Sequence, residues 1–317
     1  MRPLDIETLA SRHVPGSGAP LMEPLRAGLA HETYRVRRGD SCYALRVPAE
    51  ESVDLGLDRA WEARVLERAA AAGLAPPMRY WGQEQGVLVL DWIEGRPWTP
   101  AETRLPGHIS RMAATLSRLH ALPAPHPART VSPAQWIELY SAALAAGGGG
   151  ERGAGAREAG ARGADQGGAG AAGGVLRSGA LERAAAERAA EAAVLGRGER
   201  VLCHSDLHVL NVVDPAPAAG GPLVLLDFEY AHVTDPFWDL AGWSANNDFG
   251  PELTGALAEA YRGRPPTASE RARLELLGWL YDYVCLLWSA LYLRREPDPE
   301  IGARARVIEG RLTAALG

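Results

Sequence analysis

The chain reads as an α+β protein of two lobes, a small N-terminal antiparallel sheet lobe (residues 1–95) and a larger, mainly helical C-terminal lobe (residues 96–317). Two observations predict this. Period-two patterning dominates the first hundred residues, and helix-period patterning takes over from His108 onward. Sheet followed by helices implies two layers of structure with a cleft between them.

The N-terminal elements follow in order. YRVRR and SCYALRVP alternate around the turn RGDS, which predicts a hairpin preceded by the loop AGLAHE. WEARVLERAAAAG is a helix ending at Gly73, and GVLVLDWI is a nearly continuous apolar strand. ISRMAATLSRLHAL and PAQWIELYSAALAA are helices, as are stretches around 252–262 and 269–294. Thr267 and Glu270 stand at capping-box spacing before the last of these. Between them, residues 147–174 are nearly all Gly, Ala, Arg and acids and carry too little apolar surface to offset the entropy of ordering, so a disordered surface insert is expected. GALERAAAERAAEAAVLGR after it has strong helix formers and few large apolar residues, and predicts a solvent-washed helix.

Composition removes several function classes. A net charge of −6 with arginines scattered among acids leaves no footprint for nucleic acid. Cys42, Cys203 and Cys285 lie far apart without CxxC spacing, so no structural zinc is expected. MRPLDIETLASRH lacks the apolar core of a signal peptide, which points to a reduced, cytoplasmic protein. LELLGWLYDYVCLLWSALYL contains Glu275 and Asp282, costly in lipid, so no membrane span is expected. Oligomeric state leaves no trace in the sequence.

The stretch LCHSDLHVLNVV, residues 201–212, carries the chemistry. Its continuation NVVDPAPAAGGPLVLLDFEY is a strand, a Pro/Gly-rich turn and a second strand, and a hairpin brings its ends together. Asn211 at the entrance and Asp227 at the exit then meet, with Asp206 just upstream. One amide and two carboxylates converging on a small volume suit Mg²⁺, which keeps waters and completes its shell with substrate phosphates. Phosphoryl transfer is built this way, with a metal to neutralise charge and a carboxylate to orient the attacking hydroxyl.

HSDLHVLN (204–211) followed by LDFE (226–229) and DFEYAHVTDPFWDLA (227–241) resembles the catalytic loop and metal motif of the aminoglycoside phosphotransferase and choline kinase superfamily, relatives of protein kinases. The resemblance spans most of the chain outside the insert and implies a protein-kinase-like fold using ATP and Mg²⁺. It implies that Asp206 is the catalytic base, Asn211 and Asp227 the Mg²⁺ ligands, and His208 a contact to the transferred phosphate. His204 and Asp239 would hold the loop's backbone.

The N-terminal lobe can be read toward the same end. On SCYALRV, Arg46 shares a face with Ala44 and Cys42, and small neighbours leave room for a nucleotide. On the following helix Glu62 lies with Val65, Leu66 and Ala69 on the face that should be buried, and a buried Glu needs a cation. Arg46 is the candidate, or else the two form plain surface pairs. The resemblance implies the pairing, although protein kinases have Lys where this chain has Arg46, and a glycine-rich nucleotide loop is missing because AGLAHE has only Gly28. Residues 90–95, LDWIEG, would connect the lobes and read adenine through the backbone around Asp91 and Ile93.

For the acceptor, Trp243, Trp279 and Asp282 suggest aromatic faces and one carboxylate around a small cationic alcohol, while aromatics at helical spacing also read as core. DLHVLN is similar to thiamine kinases and the NDFG tail to bacterial choline kinases, which puts thiamine first and choline or ethanolamine second. Other readings are an aminoglycoside phosphotransferase, a nucleotide-binding pseudoenzyme, and a metal-dependent hydrolase whose ligands His204, Asp206 and His208 would share one face of a strand.

Overall fold

The computed structural model describes residues 5–25, 31–49, 56–146, 179–195, 198–217 and 220–316; the Gly/Ala-rich insert at 147–174 and Gly28 lie outside these. Two compact units are present, one formed by 1–131 and 198–278 and the other by 132–197 and 279–317. Residue 95 falls inside the first unit.

The first unit opens with α1 (Ile6–His13), which the sequence reading did not anticipate; it starts at Asp5, whose carboxylate accepts the Thr8 N–H at 3.2 Å. A five-stranded antiparallel sheet follows, built from β1 (Leu21–Pro24), β2 (His31–Arg38), β3 (Ser41–Pro48), β4 (Met78–Gly82) and β5 (Val87–Asp91) in the order β1-β2-β3-β5-β4. The β2–β3 hairpin turns at Gly39, whose φ of 61° favours glycine. Strand alternation divides the labour on β3: Tyr43, Leu45 and Val47 join Val36, Val87, Val89, Leu9 and Val14 in one apolar cluster, while Arg46 lies on the other face. Between β3 and β4 runs α2 (Arg59–Ala71), capped by Asp58 and followed by Gly73 at φ 67°. It buries Glu62 together with Val65, Leu66 and Ala69.

After α3 (Pro106–His120), the chain leaves for the second unit and returns at β6 (Val201–Cys203), which pairs with β9 (His232–Thr234). The short hairpin β7 (Val212–Val213) and β8 (Val224–Leu225) lies between them, with Val212 opposite Leu225. The Leu225 N–H donates to the Leu74 carbonyl at 2.8 Å, and Asp214 exchanges backbone bonds with Arg96 at 3.0 and 3.4 Å. The hairpin is thereby tied to the chain on either side of the β4–β5 pair. Gly95 permits this approach: at φ 152°, a Cβ there would stand 2.6 Å from the Asp214 carbonyl oxygen. Next come α6 (Phe237–Asn246), also unanticipated, and α7 (Pro251–Arg262).

The long helix α8 (Ala268–Arg295) begins in the first unit and ends in the second. Its start is the capping box read from the sequence, with Thr267 N–H on the Glu270 carboxylate at 2.8 Å and Glu270 N–H on the Thr267 hydroxyl at 3.2 Å. Its length and hydropathy would suit a membrane crossing, but 67% of its apolar window is buried inside the protein.

The second unit contains α4 (Pro133–Ala146), α5 (Gly179–Leu195), the later part of α8, and α9 (Pro299–Ala314). Here α5 corrects an expectation. It is not washed by solvent all round, because Leu181, Ala184, Ala185, Ala189 and Ala192 form a buried stripe at helical spacing. Alanines lacked the bulk to announce a buried face, yet their small size is what lets a neighbour approach closely. Cys203 is buried, whereas Cys285 is only half-buried.

Candidate active site

The catalytic-loop candidates sit on a stretch that is not a strand. Strand β6 ends at Cys203, Ser205 takes a left-handed φ of 71°, and residues 209–211 form a single 3₁₀ turn. The one-faced arrangement of His204, Asp206 and His208 that a metal-dependent hydrolase would need is therefore not formed. A serine at positive φ is strained and persists only where its surroundings hold it.

Asp239 does much of that holding. Its buried carboxylate accepts the backbone N–H of His204 at 2.8 Å and of Ser205 at 2.7 Å, and the His120 ring at 3.0 Å. The far nitrogen of His120 meets the Tyr261 hydroxyl at 2.8 Å. Burial disfavours the Asp239 anion, but the His120 bond and the neighbouring imidazoles outweigh it and hold the carboxyl below its ordinary pKa. His204 is itself buried; its Nε2 donates to the Leu226 carbonyl at 2.8 Å and its Nδ1 accepts the Asp206 N–H at 3.3 Å. One ring thus links the loop to the end of the β7–β8 hairpin.

A second histidine steadies Ser205. His232 is 1% exposed, and its Nδ1 faces the Tyr230 carbonyl at 2.9 Å and the Ser205 hydroxyl at 3.0 Å. Burial pushes its pKa down to about 4. The unfolded chain protonates this residue near pH 6.5 and the folded protein only near 4, so its contribution to stability is complete above pH 6.5 and drains away as pH falls through that window. The difference is worth about 3 kcal/mol at its largest. In urea melts at stepped pH, wild type is expected to lose that stability between pH 6.5 and 4 and His232→Gln to lose much less; parallel losses would show that His232 is not the responsible group.

Asn211 joins Asp206 directly, and the chain returns beside it at Leu226, the neighbour of Asp227. The Asn211 amide donates to the Asp206 carbonyl at 2.9 Å and to its carboxylate at 3.0 Å, and Leu226 N–H donates to the Asn211 carbonyl at 2.9 Å. His208 Nε2 lies 3.8 Å from the Asp206 carboxylate. Burial, helped by the negative charges of Asp227 and Glu229, raises the Asp206 pKa against the pull of His208 and His204. Asp227 is left-handed at φ 61° and points its carboxylate at Arg46, 2.9 Å away.

Arg46 joins more than the sequence suggested. One guanidinium nitrogen bonds Glu62 and the other Asp227, so the guanidinium spans both. Arg59, one turn before Glu62 on α2, reaches Glu62 at 3.2 Å and Glu229 at 2.7 Å. His31, the first residue of β2, touches Glu229 at 3.1 Å and Asp227 at 3.6 Å. The result is a closed ring running Arg46, Glu62, Arg59, Glu229, His31, Asp227. Burial alone would lower the Arg46 pKa, but the carboxylates of Glu62, Asp227 and Glu229 raise it above its ordinary value. Burial likewise opposes the Glu229 anion, and the His31 bond with the Arg46 and Arg59 charges lowers its pKa nonetheless. Sequence reading missed His31 and Arg59 and gave Glu229 no role; the alternation D-F-E, with Phe228 wholly buried between two acids, was the available signal for Glu229.

The remaining candidates are dispersed. The Asp91 carboxylate is taken by Arg79 at 2.6 Å and its N–H by the Pro77 carbonyl at 2.9 Å; the Trp92 N–H goes to the Cys42 carbonyl at 3.1 Å, and Ile93 follows. Trp243 lies in the first unit, fully buried, with its ring 6.2 Å from that of Trp98. Trp279 and Asp282 belong to the second unit, and both already have cationic neighbours: Arg188 stands 4.4 Å over the Trp279 ring, and Arg311 bonds the Asp282 carboxylate at 2.6 Å.

The sequence profile of the phosphotransferase enzyme family matches residues 22–277. Comparison with curated protein sequences finds no match. Among solved structures, a choline/ethanolamine kinase family protein from Mesorhizobium loti is similar at 24% identity and a TM-score of 0.65, covering 96% of this chain and 90% of that one. The choline kinase LicA from Streptococcus pneumoniae is similar at 18% identity and a TM-score of 0.71, covering 98% and 97%. A spectinomycin phosphotransferase solved with ADP and spectinomycin has 11% identity and a TM-score of 0.64, covering 96% and 93%. At these identities the structural likeness establishes the fold, a protein-kinase-like one with a small sheet followed by a mainly helical part.

Proposed function

Because this chain belongs to the phosphotransferase enzyme family, we propose that it transfers the γ-phosphate of ATP to the hydroxyl of a small cationic alcohol. The observation that carries the transfer is the convergence of Asp206, Asn211 and Asp227 at the ends of one hairpin, joined through Asp227 to the Arg46–Glu62 pair. Asp206 orients the acceptor hydroxyl and takes its proton as the oxygen attacks; its raised pKa makes it a better base than an ordinary aspartate. His208, half-exposed beside it, faces the phosphate in flight. Arg46 gives the nucleotide phosphates a cation held in place by Glu62.

The donors fit Mg²⁺: Asn211 and Asp227 offer hard oxygens, and the surrounding carboxylates outnumber the guanidiniums. Bound there, Mg²⁺ would supply charge neutralisation for the phosphates.

Thiamine follows from the similarity of DLHVLN to thiamine kinases; choline and ethanolamine follow from the likeness of the fold to a choline/ethanolamine kinase family protein and a choline kinase. A cation engaging Trp279 and Asp282 would compete with Arg188 and Arg311. The test is ATP consumption over thiamine, choline, ethanolamine, an aminoglycoside and neutral sugar alcohols, with product phosphorylation checked by mass. A cationic alcohol is expected to exceed the neutral ones by at least about ten-fold in kcat/KM, the effect of one charge contact. Equal use of neutral acceptors would remove the cation requirement, and no transfer to any hydroxyl would remove the proposal.

A further inference from the structure

We propose that His31, Asp227 and Glu229 form a mixed nitrogen and oxygen seat for a divalent cation, and that the imidazole gives it a preference for a first-row transition ion such as Mn²⁺ over Mg²⁺. This rests on the phosphotransferase reading for its use, since Asp227 is shared, but it concerns which metal the site selects and through which residue.

The fold brings three donors within ligating reach of one another, so that a small turn of the His31 ring would let one nitrogen share an ion with both acids. One ligand atom from each of the three residues lies within 4.8 Å of the other two. The His31 ring stands between the acids, with Nδ1 3.1 Å from Glu229 and Nε2 3.6 Å from Asp227, and its side chain is only 13% exposed. Its position is fixed by pairing, because His31 lies opposite Pro48 at the start of the β2–β3 ladder. The two acids are held from the other side by guanidiniums, Asp227 by Arg46 at 2.9 Å and Glu229 by Arg59 at 2.7 Å. Arg46 covers only one oxygen of Asp227, and the other faces His31.

Charge points the same way. Around this spot the described residues place the carboxylates of Glu62, Asp206, Asp227 and Glu229 against the guanidiniums of Arg46 and Arg59. Counting carboxylates against guanidiniums, the cluster lacks two positive charges, the charge of one divalent ion. Had all the donors been oxygen, Mg²⁺ would suit them; an imidazole among them shifts the balance toward Co²⁺ or Zn²⁺ most, and toward Mn²⁺, which takes carboxylates and also tolerates an imidazole, over Mg²⁺.

The opposing possibility is that His31 merely bridges two acids and leaves when a metal enters. Binding of Mn²⁺ alone to the full-length, nucleotide-free protein separates the two, followed by the electron paramagnetic resonance of free Mn²⁺, with Mg²⁺ measured by competition. Losing a ligand is expected to weaken Mn²⁺ by about ten-fold or more in His31→Ala, and Mg²⁺ by less than about three-fold. In wild type, the Mn²⁺ spin-echo envelope should carry nitrogen modulation that persists in His208→Ala and vanishes in His31→Ala and His31→Gln. The wild-type measurement does not depend on how any variant folds. Absence of nitrogen modulation in wild type overturns the proposal, as does unchanged or tighter Mn²⁺ binding in His31→Ala, or an equal loss for both metals. No step here involves nucleotide or acceptor, so a nitrogen-coupled Mn²⁺ site in a protein that phosphorylates nothing would retain the site and reject the transfer reading.

Discussion

Asp206→Asn is expected to lower kcat by about a thousand-fold while leaving the melting temperature unchanged or higher. The substitution keeps the size of a side chain that sits against the Asn211 amide at 3.0 Å and removes only its charge and basicity. A positioned general base is worth 10²–10⁴-fold, and the role proposed for Asp206 sets it against a hydroxyl that water would deprotonate poorly. The stability half of the expectation comes from linkage. Burial and the charges of Asp227 and Glu229 raise the Asp206 pKa, so the folded protein holds this proton more tightly than the unfolded chain, and stability declines as pH rises from the ordinary aspartate range through the raised value. Asparagine removes that penalty near neutral pH and has nothing to remove in strong acid. Steady-state ATP consumption and thermal melts at pH 7 and pH 3.5 check both halves. A kcat within about ten-fold of wild type would reject Asp206 as the base, and a clear fall in melting temperature at pH 7 would make the residue structural.

Arg46→Met is expected to cost about 3 kcal/mol of stability, and Arg46→Lys to lower kcat/KM for ATP by about ten-fold or more with a smaller loss of stability. Glu62 is 1% exposed, and among the described residues the Arg59 contact at 3.2 Å is what it keeps without Arg46. A buried charge deprived of its main partner is among the costliest single changes in a fold. The Lys variant separates charge from shape. Arg46 holds Glu62 with one nitrogen and Asp227 with the other, and a single ammonium cannot reproduce that span. Urea melts and ATP titrations measure the two effects. In Arg46→Met with Glu62→Leu, stability should largely return and turnover should not, because the buried charge is gone but the phosphate contact is still missing. Wild-type kcat/KM in Arg46→Lys would show that the forked geometry is not used.

The features legible from residue order are those with local causes. The β2–β3 hairpin, α2 and its buried Glu62, the Thr267–Glu270 capping box and the return of Leu226, next to Asp227, onto Asn211 each follow from periodicity or turn chemistry within a few tens of residues. The buried face of α5 is not legible in the sequence because alanine satisfies a buried and an exposed face equally in composition, and α6 is hard to read because it is apolar all round, with Phe237, Trp238, Leu240, Ala241 and Trp243 buried on every side.

The ring around Arg46 had no such local cause. Its contacts join residues 181 apart at Asp227, 198 apart between His31 and Glu229, and 170 apart between Arg59 and Glu229. Arg46 could be matched with Glu62 because a buried acid requires a nearby cation and the chain had an obvious one. Nothing in the order of residues required His31 to stand between two acids, since His31 carries no periodic pattern and is chemically indifferent until partners are supplied. The same holds for His120, which becomes a support of the loop at 204–211 only through Asp239, 119 residues away. Local sequence prescribes which groups must be buried and which backbones must turn, because those demands are met within one element. Which distant charge satisfies a buried one depends on how the elements dock, and that is settled by the packing of the sheet, α2 and the hairpin together.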